Sequence, residues 1–112
     1  MAIRTKKYES NGGRNVRAVK VTERNFQDLV GWVIRNSENV NPNKSVASAH
    51  VNKRGDVSNQ RLRLHIDGKG VRVARVGDYV FHELADNGKP LDGILYILKG
   101  DVFEDKYTEI KK

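Results

Sequence analysis

The chain contains no cysteine, and this absence removes several kinds of chemistry. It excludes disulfides, thiolate metal sites and cysteine nucleophiles, and it fits a reducing compartment. Long apolar runs are missing as well, since none approaches the roughly 20 residues that span a bilayer. The opening stretch MAIRTKKYES is charged and has no apolar segment of the kind found in signal peptides. We therefore expect a protein without membrane partners.

Motifs of common active sites are also absent. No G-x-x-x-x-G-K-S/T stretch occurs, and the short DGKG at 67–70 has no helix after it to form a phosphate cradle. Asp86 and Asp92 flank a glycine-containing loop, but the D-x-D-x-D-G pattern of calcium loops is missing. No serine or threonine lies in a nucleophile elbow. The sequence predicts a non-enzymatic protein with no catalytic residue, no metal and no cofactor.

The three histidines carry no sign of metal binding. None has a neighbour at the spacing of paired metal ligands, so we expect surface or strand-edge histidines. They are His50, His65 and His82.

Positive charge is abundant and unevenly placed along the 112 residues, whose net charge is +7. Residues 1–20 hold six basic residues against one acidic residue, and residues 44–76 hold eight against two. The rest of the chain is net acidic. A localised basic excess attracts nucleic acid or an acidic protein surface, although the same charge also serves solubility alone.

Length and composition predict one domain. Apolar residues make up 38% and charged residues 31%, which is ordinary for a globular chain that buries one modest core. Residues 1–14 show no periodicity and contain a Gly-Gly pair, so we expect a flexible basic arm there. The single domain then covers residues 15–112.

One amphipathic helix is predicted at about 23–35, after a strand at 16–21. Apolar side chains recur there with helical spacing. They are Phe26, Leu29, Val30, Val33 and Ile34. Thr22 precedes the helix as an N-cap residue, and Asn25 stands where a full capping box has Glu or Gln.

The remainder of the chain reads as strands separated by polar turns. Alternation is clearest in RLRLHI, and the stretch ILYILK is apolar enough to predict a central strand. The predicted strands are 46–51, 61–66, 71–76, 79–84, 94–99 and one after a short helical turn in the tail. The predicted class is α+β: a curved, mostly antiparallel sheet or small partly open barrel, with helix 23–35 packed on it.

The Gly77-Asp78 pair interrupts two strand-like runs in VRVARVGDYVF. Glycine accepts positive φ without steric cost, and aspartate bonds nearby backbone N–H groups. We therefore predict a sharp structural turn with positive φ at Gly77, and no chemistry for Asp78.

A row of basic side chains is the strongest functional signal. Arg61, Arg63 and His65 alternate onto one face of their strand, and Arg72 on the next strand is expected beside them. Such a row is suited to a phosphate backbone, while an ordinary solvated sheet face is the plainer interpretation. Further basic residues complete the predicted anion-binding set: Arg75, Lys53, Arg54 and Arg14.

Three stretches, VRAVKVTERNFQDLVGWV, VRVARVGDYVF and GDVFEDKYTEI, resemble in order the landmarks of a family of small uncharacterised tailed-phage proteins. Its members combine an N-F-x-x-L helix, a P-G-D-Y/W turn and a D-I/V-F-E-x-x-Y ending. Here Val76 replaces the usual proline and Arg17 a usual acidic residue. Residues 36–60 and 85–93 are expansions. The resemblance implies a phage origin and a compact fold, without an activity.

These observations lead to a functional expectation by analogy with other small phage proteins. We expect a non-enzymatic accessory protein that binds a host macromolecule in the host cytoplasm. One alternative is nucleic-acid binding through the basic arm and the basic strand face. The other is a minor virion or assembly component. The sequence leaves the oligomeric state open.

Overall fold

The computed structural model describes residues 3–110, and there the chain forms eight strands and two helices. All strand pairs are antiparallel, so the predicted α+β class with one main helix is confirmed. The elements in chain order are β1 (Lys6–Ser10), β2 (Asn15–Lys20), α1 (Phe26–Asn36), β3 (Val46–Val51), β4 (Val57–Ile66), β5 (Gly70–Arg75), β6 (Tyr79–Glu83), β7 (Tyr96–Leu98), α2 (Gly100–Lys106) and β8 (Tyr107–Glu109).

The strands divide between two sheets, neither of which closes into a barrel. The larger sheet has the order β7-β6-β2-β1-β8, and the smaller one has the order β3-β4-β5. The chain passes from the small sheet to the large one between β5 and β6, which is where Gly77 and Asp78 lie. The predicted turn therefore redirects the chain between sheets.

The predicted flexible arm at 1–14 is wrong over most of its length. Residues 6–10 form β1, an inner strand that pairs with β2 on one side and β8 on the other. The sequence hid this strand because Lys6, Lys7 and Glu9 are exposed, and only Tyr8 and Ser10 are partly covered. Residues 1 and 2 of the predicted arm lie outside the described residues.

The predicted central strand at 94–99 is also corrected. Only Tyr96–Leu98 is strand, and it lies at the edge of the large sheet. Its apolar composition has another cause. Ile97 contacts the main core, whereas Tyr96 and Leu98 contact a second core on the opposite face. A strand covered on both faces is apolar even at an edge.

The main core lies between α1, the small sheet and one face of the large sheet. Leu29 and Val33 of α1, Leu62 and Leu64 of β4 and Val80 of β6 are all fully buried. Phe26 is also buried, and Val30 and Ile34 are half-buried. The predicted apolar face of the helix is therefore the face that the structure buries.

The helix begins at Phe26, later than predicted, because Thr22 and Asn25 enclose one turn before it. The Thr22 N–H donates to Asn25 Oδ1 at 2.8 Å, and the Asn25 N–H donates to Thr22 Oγ1 at 3.1 Å. The two bonds have the reciprocal pattern of a capping box, but they close the turn before the helix and not its first turn, so Thr22 is not the N-cap that the sequence predicts. Asn25 itself is the N-cap, without a side-chain bond to the helix.

The Gly77-Asp78 turn is tied to the end of β2. Gly77 has a φ of 99°, which confirms the predicted positive value. Its N–H donates to the Val21 carbonyl, and the Val21 N–H donates to the Asp78 carbonyl, both at 2.8 Å. Asp78 Oδ2 accepts the Arg75 N–H at 2.9 Å, so its carboxylate closes the turn.

Residues after this turn form a second, aromatic core with α2. Tyr79 stacks on the fully buried Phe103 with ring centroids 4.1 Å apart, and Tyr107 stacks on Phe103 at 4.5 Å. The Tyr79 hydroxyl donates to Glu104 Oε2 at 2.8 Å. Burial, together with this bond, raises the pKa of Tyr79 and keeps the phenol protonated as a donor. The GDYV and DVFEDKY stretches therefore pack against each other.

Replacing Leu29 by Ala tests the predicted core face. We expect a loss of about 2–5 kcal/mol in unfolding free energy, because a fully buried leucine leaves a cavity. Urea unfolding followed by circular dichroism measures it. Leu91→Ala is the matched control, since Leu91 is 58% exposed and its truncation should change little. Equal effects of the two substitutions would show that α1 does not cover the core.

Substitutions at Gly77 and Gly100 test the junction between the sheets. Gly77→Val should cost about 1–3 kcal/mol because a β-branched residue resists positive φ. Gly100→Ala should also destabilise, because an added Cβ would overlap the Gly77 carbonyl oxygen. Asp78→Asn should cost less than about 1 kcal/mol, since its amide oxygen can still accept the Arg75 N–H. Chemical denaturation measures all three, and a wild-type midpoint for Gly77→Val would contradict the turn geometry.

Candidate functional site

The small sheet and its turns, residues 44–76, hold the larger of the two basic segments and are called the basic sheet below. This segment contains eight Lys and Arg residues against Asp56 and Asp67. The predicted basic row on β4 lies within it, so the structure places that row on a separate layer of the fold rather than on the large sheet.

The register of β4 and β5 decides which basic residues share a face. Arg61 lies opposite Arg75, and Arg63 lies opposite Val73. Directly opposite residues of an antiparallel pair project to the same side. The outer face of the basic sheet therefore carries Arg61, Arg63 and Arg75, with His65 further along the same face of β4.

Arg72 does not join this row, so its predicted place is corrected. It lies opposite Leu64, whose side chain is fully buried on the inner face. The tight turn after Ile66 pairs that residue with Gly70, and this pairing fixes which residues of β5 project to the inner and outer faces. Arg75, a secondary member of the predicted set, takes the position that the sequence assigned to Arg72.

The far end of the basic sheet is a projecting two-stranded ribbon. Ten consecutive residues, from His50 to Asn59, are exposed, and they include Lys53 and Arg54 at the turn. The Asn52 side chain orders this turn, because its Oδ1 accepts the N–H groups of Arg54 and Asp56 at 2.9 and 3.0 Å. The ribbon thus presents two cations at a defined tip.

Arg14 lies outside the basic sheet. It is at the turn between β1 and β2 of the large sheet, and its Nη1 forms an ion pair with Glu83 at 3.0 Å. The structure therefore does not bring Arg14 together with the other predicted anion-binding residues.

The two basic segments differ in their carboxylate partners. In the first segment, Lys6, Arg14 and Lys20 pair with Glu109, Glu83 and Glu104. Between residues 3 and 110, no carboxylate oxygen comes within 4.0 Å of a Lys or Arg nitrogen of the basic sheet. Three of the six cations of the first segment are therefore paired within the fold, so more of the unpaired positive charge lies on the basic sheet.

A shallow groove of about 660 Å³ lies where β5 turns into β6 and meets the start of α2. Its walls carry both signs of charge. Arg72, Arg75 and Lys99 line it together with Asp78 and Asp101. Asp78 already closes the turn through Arg75, so the groove presents no convergent set of reactive groups.

His82 is buried, which corrects the expected surface or edge position. Only 2% of it is exposed, and its Nε2 lies 2.8 Å from the hydroxyl of the buried Ser37. Burial lowers the pKa of His82, against a weaker opposing effect of the Asp92 carboxylate. The ring also lies 5.4 Å from that of Trp32.

The Ser37–His82 pair resembles a nucleophile with its base, but the fold closes it off. Neither residue lines the groove between β5 and α2, the groove beside Tyr8 and Tyr79, or the groove beside Arg14 and Leu91. The bond joins the C-cap of α1 to β6, so it is a buried structural hydrogen bond between the helix and the large sheet. Sequence alternation missed it because β6 is covered on both faces.

Within residues 3–110, no group of three or more His, Asp or Glu side chains is placed to hold a metal ion. No helix in that part of the chain is long and apolar enough to cross a membrane.

Comparison with known proteins finds no matching family model, no significantly similar curated protein and no significantly similar solved structure. The phage origin implied by the three sequence stretches therefore stays a prediction.

Protonation of His82 should make the fold sensitive to acid. Its pKa is lowered on folding, so below about pH 6.5 the unfolded chain takes up the proton more readily and stability falls with pH. We expect His82→Gln to show a smaller loss of unfolding free energy between pH 7.5 and pH 5 than the wild type. His50→Gln is the control, because His50 is exposed. Parallel pH profiles for wild type and His82→Gln would rule out this coupling.

Proposed function

We propose that this protein binds nucleic acid without catalysing a reaction, through the outer face and tip of the basic sheet. The observation that carries the proposal is the difference in pairing between the two basic segments. Positive charge that the fold leaves without carboxylate partners is available to phosphates, and phosphate contacts dominate nucleic-acid affinity.

The shape of the basic sheet supports the same proposal. The hairpin of β3 and β4 is a two-stranded antiparallel ribbon whose tip residues are all exposed. The major groove of B-DNA is wide enough to admit such a ribbon. The ribbon carries Lys53 and Arg54 at its tip and Arg61 and Arg63 nearer its base, so cations are present along its length.

The placement of the aromatic residues favours recognition of the backbone over recognition of bases. Proteins that hold single-stranded bases stack them on exposed aromatic rings. Here Tyr79, Phe81 and Tyr96 belong to the second core, and the outer face of the basic sheet instead carries Val46 and Val71 beside its arginines. The proposed binding is therefore strongly salt-dependent and nearly independent of sequence.

An acidic protein surface would be attracted by the same charge, so the host-protein interpretation is an outcome of the test below. The predicted role of a phage accessory protein in the host cytoplasm, or of a minor virion component, stays a prediction. Nucleic acid is the partner that the exposed ribbon and the unpaired arginines favour.

The salt dependence of DNA binding tests the proposed function. Fluorescence anisotropy with labelled duplex and single-stranded probes should show log affinity falling linearly with log salt, by about 0.9 per phosphate contact on duplex DNA. Replacing Arg61, Arg63 and Arg75 together by Gln should reduce that slope by about two to three contacts.

A second triple variant, with Lys6, Arg14 and Lys20 replaced by Gln, is the matched control. It has the same net charge but removes cations that already have carboxylate partners. We expect its slope to stay near that of the wild type. If both triple variants lose affinity equally, binding reflects net charge alone. If neither the wild type nor the control binds DNA at about 0.15 M salt, the proposal is wrong and an acidic protein partner takes its place.

A further inference from the structure

A bulge in β4 holds a residue in an unusual conformation next to the arginine row. Pairing with β3 runs from Arg61 opposite Ser48 to Ser58 opposite His50. Two residues of β4, Asn59 and Gln60, therefore face one residue of β3, which is the definition of a β-bulge. Asn59 has a φ of 55°, the left-handed region that residues other than glycine rarely occupy.

Asn59 accepts a hydrogen bond from each of the two directly opposed arginines, Arg61 and Arg75. Arg61 Nη1 donates to the Asn59 carbonyl oxygen at 2.8 Å, and Arg75 Nη1 donates to Asn59 Oδ1 at 2.9 Å. The backbone carbonyl of Asn59 therefore faces Arg61 on its own strand, β4, while its side-chain oxygen faces Arg75 on the neighbouring strand, β5. One exposed residue thus sets the position of two guanidinium groups.

The arrangement brings like charges together, and no carboxylate among residues 3–110 forms an ion pair with them. Arg61 and Arg75 are directly opposite each other, and like charges at such positions repel. The oxygens of Asn59 that accept their hydrogen bonds are neutral. Each guanidinium has five N–H donors, and in the described chain only one from each side chain is bonded to an acceptor. Asparagine is one of the few residues other than glycine that adopts positive φ readily, so the bulge accommodates this geometry. The repulsion between the two arginines is left for an anionic ligand to relieve.

We propose that Asn59 positions Arg61 and Arg75 as a preformed cradle for a phosphate group of the nucleic-acid backbone. This inference rests on the proposed function and names the contact at its centre. Paired guanidinium groups match the oxygens of a phosphate in a planar, multidentate geometry. Arg63 lies two residues further along the same face, about 7 Å away, so the row suits a chain of phosphates better than a single ion.

Two substitutions of Asn59 test the cradle. Asn59→Asp places a carboxylate between the arginines and should weaken binding of a labelled DNA probe about tenfold or more. Asn59→Gly keeps the positive φ but removes the Oδ1 acceptor of Arg75, and should weaken binding about 2- to 10-fold. Neither change should lower the melting temperature, whereas a merely structural role would lower it and spare affinity.

Asn87→Asp is the charge-matched control. Asn87 is an exposed loop residue whose Oδ1 accepts the Lys89 N–H, a bond that aspartate can also make. The inference is overturned if Asn59→Asp and Asn87→Asp bind DNA equally well.

A separate measurement distinguishes failure of the cradle from failure of the proposed function. Tripolyphosphate should shift the side-chain Nε–H NMR signals of Arg61 and Arg75 in the wild type, and Asn59→Asp should abolish the shift. If these signals respond while DNA does not bind, the cradle stands and the proposed function fails. If DNA binds and the signals do not respond, the cradle fails and the function stands. No response in either assay refutes both.

Discussion

The contact between the Gly77 carbonyl and Gly100 is the constraint on which the arrangement of both sheets depends. Gly77 lies where the chain leaves the basic sheet, and Gly100 begins the helix that carries Phe103 into the aromatic core. A side chain at Gly100 would overlap that carbonyl, so α2 or the turn would have to shift, and the stacking of Phe103 on Tyr79 would be disturbed. The same turn binds the end of β2 through Val21, which fixes the large sheet relative to the basic sheet.

Local patterns of the sequence predict most elements but not their neighbours. The apolar spacing in α1, the alternation in β4 and the glycine turn each arise within a few residues, so each could be found directly. Strand β1 could not, because its cover comes from β8 and from an aromatic core built about 100 residues away. Burial of His82 is missed for the same reason, since β6 appears half-exposed until the elements covering each face are known.

The candidate site shows the same limit more sharply. Counting charges finds two basic segments of similar net charge. Nothing in the sequence of either segment tells which one lacks carboxylate partners in the folded protein. The fold distinguishes them by placing Glu83, Glu104 and Glu109 against the first. Strand alternation correctly places Arg61 and Arg63 on one face of β4. Whether Arg72 or Arg75 lies beside them depends on the register of β5, which the turn after Ile66 sets.

The proposed binding surface lies apart from the buried contacts that stabilise the fold. The Gly77–Gly100 contact, the aromatic core and the ion pairs of the first segment all belong to the large sheet and the elements joined to it. Unpaired charge and the left-handed Asn59 belong to the exposed side of the basic sheet, where few buried contacts depend on them. A cluster of like charges is tolerated there because water screens the repulsion between exposed guanidinium groups. Burying the same charges in the core would cost far more free energy. Leu62 and Leu64 on the inner face of the same strands are fully buried, and their packing fixes the position of the arginine row on the outer face. A rigid apolar face therefore positions a polar face that contributes little to folding and remains available for a ligand.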